Sequence, residues 1–292
     1  MNEPNSKHAA MYMHWTTEYG HVYQDCLTIL YNIDVIFPQY DSVLVQMTKR
    51  MQTVINFFGL TLSSKLKFIY GENNLNPIPE FAEFGRPINR PNEQLLLKPR
   101  RTNISKQKAL LTLKKEFQRL KPIVNTPKNY LIFCSRNGNT ISVKNNRRMK
   151  QQNEDDIVAY LKEYANEHNL EFYLLTGQEP DGTPTSISKQ YELFTNAKIA
   201  IGPHGAAFAN IIHLDPAKKA KVIEFCSNKN PEGNFMGLYG KTPAMFCEYH
   251  KIMYDGSGRD VPNNICKYAL ADIGRIEDLP DIDIMQIKSL LE

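Results

Sequence analysis

The sequence predicts an α/β protein organised on parallel sheets, and three observations carry that prediction. From residue 130 onward, short apolar runs of strand type alternate with helical stretches, a pattern that calls for right-handed crossovers between parallel strands. The predicted strands end in polar or glycine-containing turns, at Ser135-Arg136, at Gly177 and at Gly202-Pro203-His204. Hydrophobic residues form 42% and charged residues 23% of the 292, the balance of a chain with a buried core and a wetted surface.

Taken in order, Tyr23 to Ile33 is an apolar-rich helical stretch and Ser42 to Val45 a short strand. Met47 to Phe58 has helical spacing and stops at Gly59, and Lys67 to Tyr70 reads as a strand ending at Gly71. Residues 72–104, rich in Pro, Asn and Arg, lack periodicity. Ser105 to Leu120 is a basic amphipathic helix with Leu110, Leu113 and Phe117 on one face, and Pro122 and Pro127 mark a linker after it. Beyond the linker come strand Tyr130 to Cys134, helix Glu154 to Asn166, strand Phe172 to Leu175 and helix Ser186 to Thr195. Strand Ile199 to Ile201, helix Ala206 to Leu214 and strand Val222 to Phe225 complete the series. The expected domains are therefore 1–120 and 121–274, with a C-terminal helix over 275–292 free to pack back on the first.

Charge and cysteine usage narrow the function. A net charge of +4 suits an anionic substrate and falls short of the strongly basic balance of a nucleic-acid binder. Five scattered cysteines without a Cys-x-x-Cys argue against a disulfide framework and a zinc site, and for a reducing compartment. No run approaches the ~18 apolar residues of a membrane helix, and the first residues lack a signal core, so a cytoplasmic protein without an integral membrane segment is expected. Phosphate-binding Gly-x-x-x-x-Gly-Lys loops, nucleophile elbows and metal-binding His pairs are absent.

The most informative stretch is Ile199 to Asn210. Strand, tight turn Gly202-Pro203, then His204 between glycines and an alanine-rich helix start: such a helix N-terminus gathers unpaired N–H groups and suits a phosphate. Gly205 leaves room for a ligand's close approach, and an ordinary strand-to-helix turn with a packed histidine fits the same local pattern. Ser135-Arg136 at the end of another strand, and Arg147-Arg148 before a helix, offer guanidinium forks of the kind that bind pyrophosphate. His21 and Asp25, four apart, would share a helix face and could deprotonate a hydroxyl; a capped helix with an exposed aspartate is the simpler reading of that pair alone. Asp281-Ile282-Asp283 matches the Asp-x-Asp of metal-dependent sugar transferases but sits in an amphipathic C-terminal segment, and Lys98-Pro99-Arg100-Arg101 reads as a solvated loop.

In order along the chain, these residues resemble glycosyltransferase family 61. The resemblance rests on His21-Val22-Tyr23-x-Asp25, Ser135-Arg136, Arg148, Asn153-Glu154, Tyr191 to Ala197, Gly202-Pro203-His204-Gly205-Ala206, Val222-Ile223-Glu224 and Met236 to Tyr239 leading on to Glu248-Tyr249-His250. It implies a GT-B-like architecture of two Rossmann-like domains facing a cleft. It also implies metal-independent, inverting transfer from a UDP-sugar, xylose or N-acetylglucosamine, to a glycan or glycoprotein hydroxyl. In that scheme the diphosphate sits on the N–H groups of Gly205 and Ala206, near Ser135 and Gly202, with Arg136 and Arg148 neutralising its charge. His204 donates to a phosphate or sugar hydroxyl, Asn210 braces the turn, Glu224 holds the ribose, and Asp25 with His21 supplies the base. The family's anchor and disulfides have no counterpart here, which fits a microbial or viral cytoplasmic enzyme. Two other readings stay open: a phosphohydrolase or phosphotransferase using His204, and a nucleic-acid binder acting through residues 98–115.

Overall fold

Two parallel sheets form in a computed structural model that describes residues 8–11, 22–70, 106–122, 127–137, 149–227, 247–254 and 281–292. They belong to separate units, Met1–Pro122 and Ile123–Glu292.

In the first unit, strands β1 (His8–Met11), β2 (Ser42–Met47) and β3 (Leu66–Tyr70) lie side by side in that order. Helix α3 (Lys49–Phe58) connects β2 to β3; the Thr48 hydroxyl caps its start by accepting from Met51 N, and Gly59 ends it in the left-handed region. The expected single helix from Tyr23 to Ile33 is instead a π-helical turn, Val22–Leu27, followed by α1 (Thr28–Tyr31) and α2 (Ile33–Ile36). Side chains explain the break. The Thr28 hydroxyl donates to Tyr23 O, five residues back, and Asn32 turns its amide onto Thr28 O and onto Ala109 O. That last bond reaches α4 (Lys106–Leu120), whose Leu110, Leu113 and Phe117 are buried. Phe117 stacks on Phe58 at 4.0 Å and meets the edge of Tyr23.

The second unit is a five-stranded, all-parallel sheet in the order β5-β4-β6-β7-β8. Its strands are β4 (Tyr130–Cys134), β5 (Glu171–Leu175), β6 (Ala197–Pro203), β7 (Lys221–Ser227) and β8 (Glu248–Tyr254). Alternation assigns the faces. Leu131, Phe133, Ile199, Ile201, Ile223, Phe225 and Ile252 join Ile157 and Leu161 of α5 (Gln151–Glu167) in one core. On the other face α6 (Ile187–Thr195) is tied to the sheet where Tyr130 Oη donates to Glu192.

Helix α7 (Ile284–Leu291) puts Ile287 and Leu291 into the core of this second unit, together with Ile282 just before it. Asn153 secures the approach to α7 by donating to Ile282 O and accepting from Ile282 N. The Asp-x-Asp is thereby accounted for: Asp281 pairs with Lys150 at 2.7 Å and Asp283 caps α7. Among the described residues, no helix is long and apolar enough to cross a membrane.

Candidate functional site

Strand order decides where a ligand can sit. The chain leaves β4 for β5 on one side, then returns to place β6 on β4's other side. Crossovers departing in opposite directions leave a crevice at the carboxyl ends of β4 and β6, the switch point at which open parallel sheets bind ligands. Ser135 and Arg136 follow β4, and His204 and Gly205 follow β6, so the two motifs singled out in the sequence meet there.

They also bond to each other. Arg136 Nη1 donates to His204 O at 2.9 Å. A Cβ on Gly205 would lie 2.2 Å from Arg136 Nη1, so what requires a glycine here is the guanidinium passing over the turn. From the sequence alone, a ligand's close approach is the expected reason for that glycine. Gly202 answers to a different constraint: its φ is +148°, and a Cβ would lie 2.6 Å from Cys134 O on the neighbouring strand. The β6–β7 ladder continues one step past Pro203, with His204 N donating to Phe225 O at 3.0 Å.

Ser135, expected among the ligand contacts, is buried and already engaged. Its hydroxyl donates to Glu154 Oε1 at 2.6 Å and accepts from Asn137 N. Asn137 in turn exchanges two bonds with the backbone of Met149, joining the ends of segment 138–148. The network shapes the loop that carries Arg136 and leaves Ser135 as support. Burial pushes the Glu154 carboxyl up from its ordinary range, outweighing the Ser135 bond that acts the other way, and its Oε2 is buried with no hydrogen-bond partner. A carboxyl whose folded pKa is raised stabilises the fold below its unfolded value and loses that contribution as pH rises through the folded value. Glu154→Gln, which keeps an acceptor for Ser135, is therefore expected to gain stability relative to the parent as pH rises from about 4 toward neutrality. Urea unfolding across that range measures it, and parallel curves for the two proteins would refute it.

Glu224, expected at the ribose, lies inside β7 and is fully buried. Oε1 is 2.5 Å from His204 Nδ1, and Oε2 accepts from Tyr249 Oη on β8. Glu224 thus orients His204 from beneath. Burial first, and then the negative Glu224, raise the Cys134 thiol to about 12, which leaves it a neutral packing group at physiological pH.

Past the turn, Ala206–His213 forms a 3-10 helix where an α-helix was expected. Phe208 N donates to Gly205 O, three residues back, and Phe208 through His213 are all buried. Asn210 donates to Ala207 O and to Gln190 Oε1, which joins this segment to α6. Tight winding consumes the Phe208 N–H at the first turn.

With that geometry in place, comparison with known families is decisive. A sequence model of the family described as Glycosyltransferase 61 matches residues 12–223, well over half the chain. The chain belongs to glycosyltransferase family 61. No curated protein matches it. Membership makes this a transferase, with a sugar donor and an acceptor as substrates.

Other expected site residues of this family 61 chain are placed less fully. His21 and Arg148, with its alternative Arg147, lie outside the described residues, as do Lys98 to Arg101 and Met236 to Tyr239. Asp25 falls in the π-helical turn Val22–Leu27, and wide turns of this kind recur at functional sites. Asn137 and Gln190 carry no local signal, because each acts on a residue distant in sequence, and Tyr249 enters the sequence reading only within the Glu248-Tyr249-His250 stretch of the resemblance, with no role attached.

Proposed function

We propose that this chain is a GT-B-type, metal-independent, inverting glycosyltransferase that moves xylose or N-acetylglucosamine from a UDP-sugar to a hydroxyl of a glycan or glycoprotein. One observation carries the reading. Arg136 is locked by its 2.9 Å bond to His204 O at the β4/β6 switch point, which places a cation, an imidazole and the Gly205–Ala206 backbone at one mouth. Such a preorganised donor set suits the charge that develops on a departing diphosphate. The anomeric C–O bond to the diphosphate breaks as the acceptor oxygen attacks from the opposite face, and the acceptor proton passes to Asp25, with His21 positioning it. Arg148 adds a second cation to the diphosphate. Glu224 acts through His204, and Ser135 through the loop of Arg136.

Metal independence is supported by the Asp-x-Asp, whose acids serve an ion pair with Lys150 and a helix cap. The phosphohydrolase and nucleic-acid readings lack comparable support: the helical part of segment 98–115 turns Ala109, Leu110 and Leu113, and even Lys114, inward.

The test is transfer from a panel of UDP-sugars in EDTA. A product with inverted anomeric configuration is expected, and no turnover of any member without metal would defeat the reading. Asp25→Asn is expected to cut transfer by roughly two to four orders of magnitude while retaining UDP binding. Undiminished transfer would remove Asp25 from the mechanism.

A further inference from the structure

We propose that a depression between helices α5 and α7 is a second, non-catalytic binding site for a neutral sugar unit of the acceptor glycan. The inference rests on the reading above that the acceptor carries a glycan, and it concerns residues far from the switch point. Tyr160, Tyr164, Glu167 and His168 of α5, with Lys288 and Leu291 of α7, line about 300 Å³ of open space, near the lower end of the range for small-molecule sites. Helix α5 runs from the carboxyl end of β4 to the amino end of β5, 17 residues or roughly 25 Å. The depression flanks its C-terminal half, toward the end of the sheet opposite the crevice.

The wall of this depression is built in advance. Tyr160, Tyr164 and His168 stand four residues apart in sequence and so share one face of α5. The two tyrosine rings have centroids 6.2 Å apart and are tilted by 52°, and His168 stacks on Tyr164 at 3.9 Å and 16°. Two hydrogen bonds fix the ladder: Tyr164 Oη donates to Leu291 O, and His168 Nδ1 lies 2.8 Å from Tyr164 O. Rings already held in place lose little freedom when a ligand packs against them.

Charge and hydrogen bonding select the ligand. Lys288 Nζ lies 5.1 Å from the centroid of the Tyr160 ring, so that ring already holds a cation and a second one would be repelled. Glu167 and Glu292 in the lining, with Glu163 near Tyr160, stand against an anion. Burial first, then Tyr164 and these three acids, raise the Tyr160 phenol, so its hydroxyl both donates and accepts at neutral pH. Among the described residues, neither that hydroxyl nor the Lys288 ammonium has a hydrogen-bond partner. A sugar meets all of these conditions: it carries no charge, its hydroxyls donate and accept, and its C–H faces pack on aromatic rings. A unit held here, joined through the glycan to the unit being modified, raises the local concentration of acceptor.

Saturation-transfer NMR of the full chain with xylotriose and chitotriose, both neutral, reads binding without turnover. Binding is expected in the parent and in Asp25→Asn, and His168→Ala and Lys288→Ala are each expected to weaken it roughly tenfold. Lys162→Ala removes a cation over Phe172 on the same helix but outside the depression, and is expected to leave binding unchanged. In transfer assays the two site variants are expected to raise KM about tenfold for an oligosaccharide acceptor, with kcat and the KM for a monosaccharide acceptor unchanged. His168 is exposed and Lys288 half-buried, so both variants are expected to fold, and thermal unfolding checks this. Oligosaccharide binding that is absent, or indifferent to either substitution, overturns the second site and leaves the transferase reading standing. Inorganic phosphate competing for the site overturns its assignment to a neutral ligand. Binding lost in both variants, beside a parent that turns over no UDP-sugar, upholds the site and defeats the UDP-sugar reading instead.

Discussion

Gly205→Ala is expected to abolish most transfer while leaving the fold intact. The added methyl would lie 2.2 Å from Arg136 Nη1, a distance no real contact tolerates, and the obstructing atom is the end of a flexible side chain. Gly205 has an extended backbone that alanine adopts without strain, so the relief comes from displacement of the guanidinium. The loss should equal that of Arg136→Ala, roughly a hundred- to a thousand-fold in kcat/KM for the donor, the scale of removing one preorganised donor to developing charge. The double variant should be barely worse than either single one, because the second change removes an interaction the first has already broken. Donor kinetics on the three proteins, with thermal unfolding as a control, settle the point. Full activity of Gly205→Ala beside a dead Arg136→Ala would show that the guanidinium has another way through.

Gly202→Ala, three residues earlier, is expected to fail in the opposite manner. Here φ is +148°, which L side chains rarely adopt, and the Cβ would meet Cys134 O at 2.6 Å and Cys134 C and Cβ at 3.2 Å. The obstacle is backbone of β4, hydrogen-bonded to β5 on one side and β6 on the other, and it cannot rotate away. A destabilisation of about 3 kcal/mol or more is expected, from overpacking and backbone strain together. Denaturant unfolding measures it, and a midpoint within about 0.5 kcal/mol of the parent's stability would contradict it. Two alanines in one turn thus separate function from fold, one through a side chain that can move and one through a strand that cannot.

Much of the second unit is legible in the sequence, because strand and helix periodicity is local. Tyr130 to Cys134 reads as a buried strand, and the structure gives β4 those same ends with every residue buried. Strand β8 was overlooked for a physical reason. As an edge strand it carries Glu248, His250 and Lys251, and its exposed positions blur the apolar pattern. Strand β1 hides similarly in His8-Ala9-Ala10-Met11, since alanine is no strand former. The break at Asn32 was illegible because its amide bonds to Ala109, 77 residues away.

By itself, then, the sequence determined the alternation of strands and helices, the parallel sense of their sheets, and the family through an ordered set of motifs. Each of these depends on spacing along the chain. Only the tertiary structure decided that β6 lies beside β4 and so makes a switch point, that Gly205 serves Arg136, and that Glu224 is a buried partner of His204 and Tyr249. Those facts depend on contacts between residues 68, 20 and 25 positions apart. A hydrogen bond across strands takes its geometry from how the sheet is ordered, and neighbouring residues in the chain do not encode it.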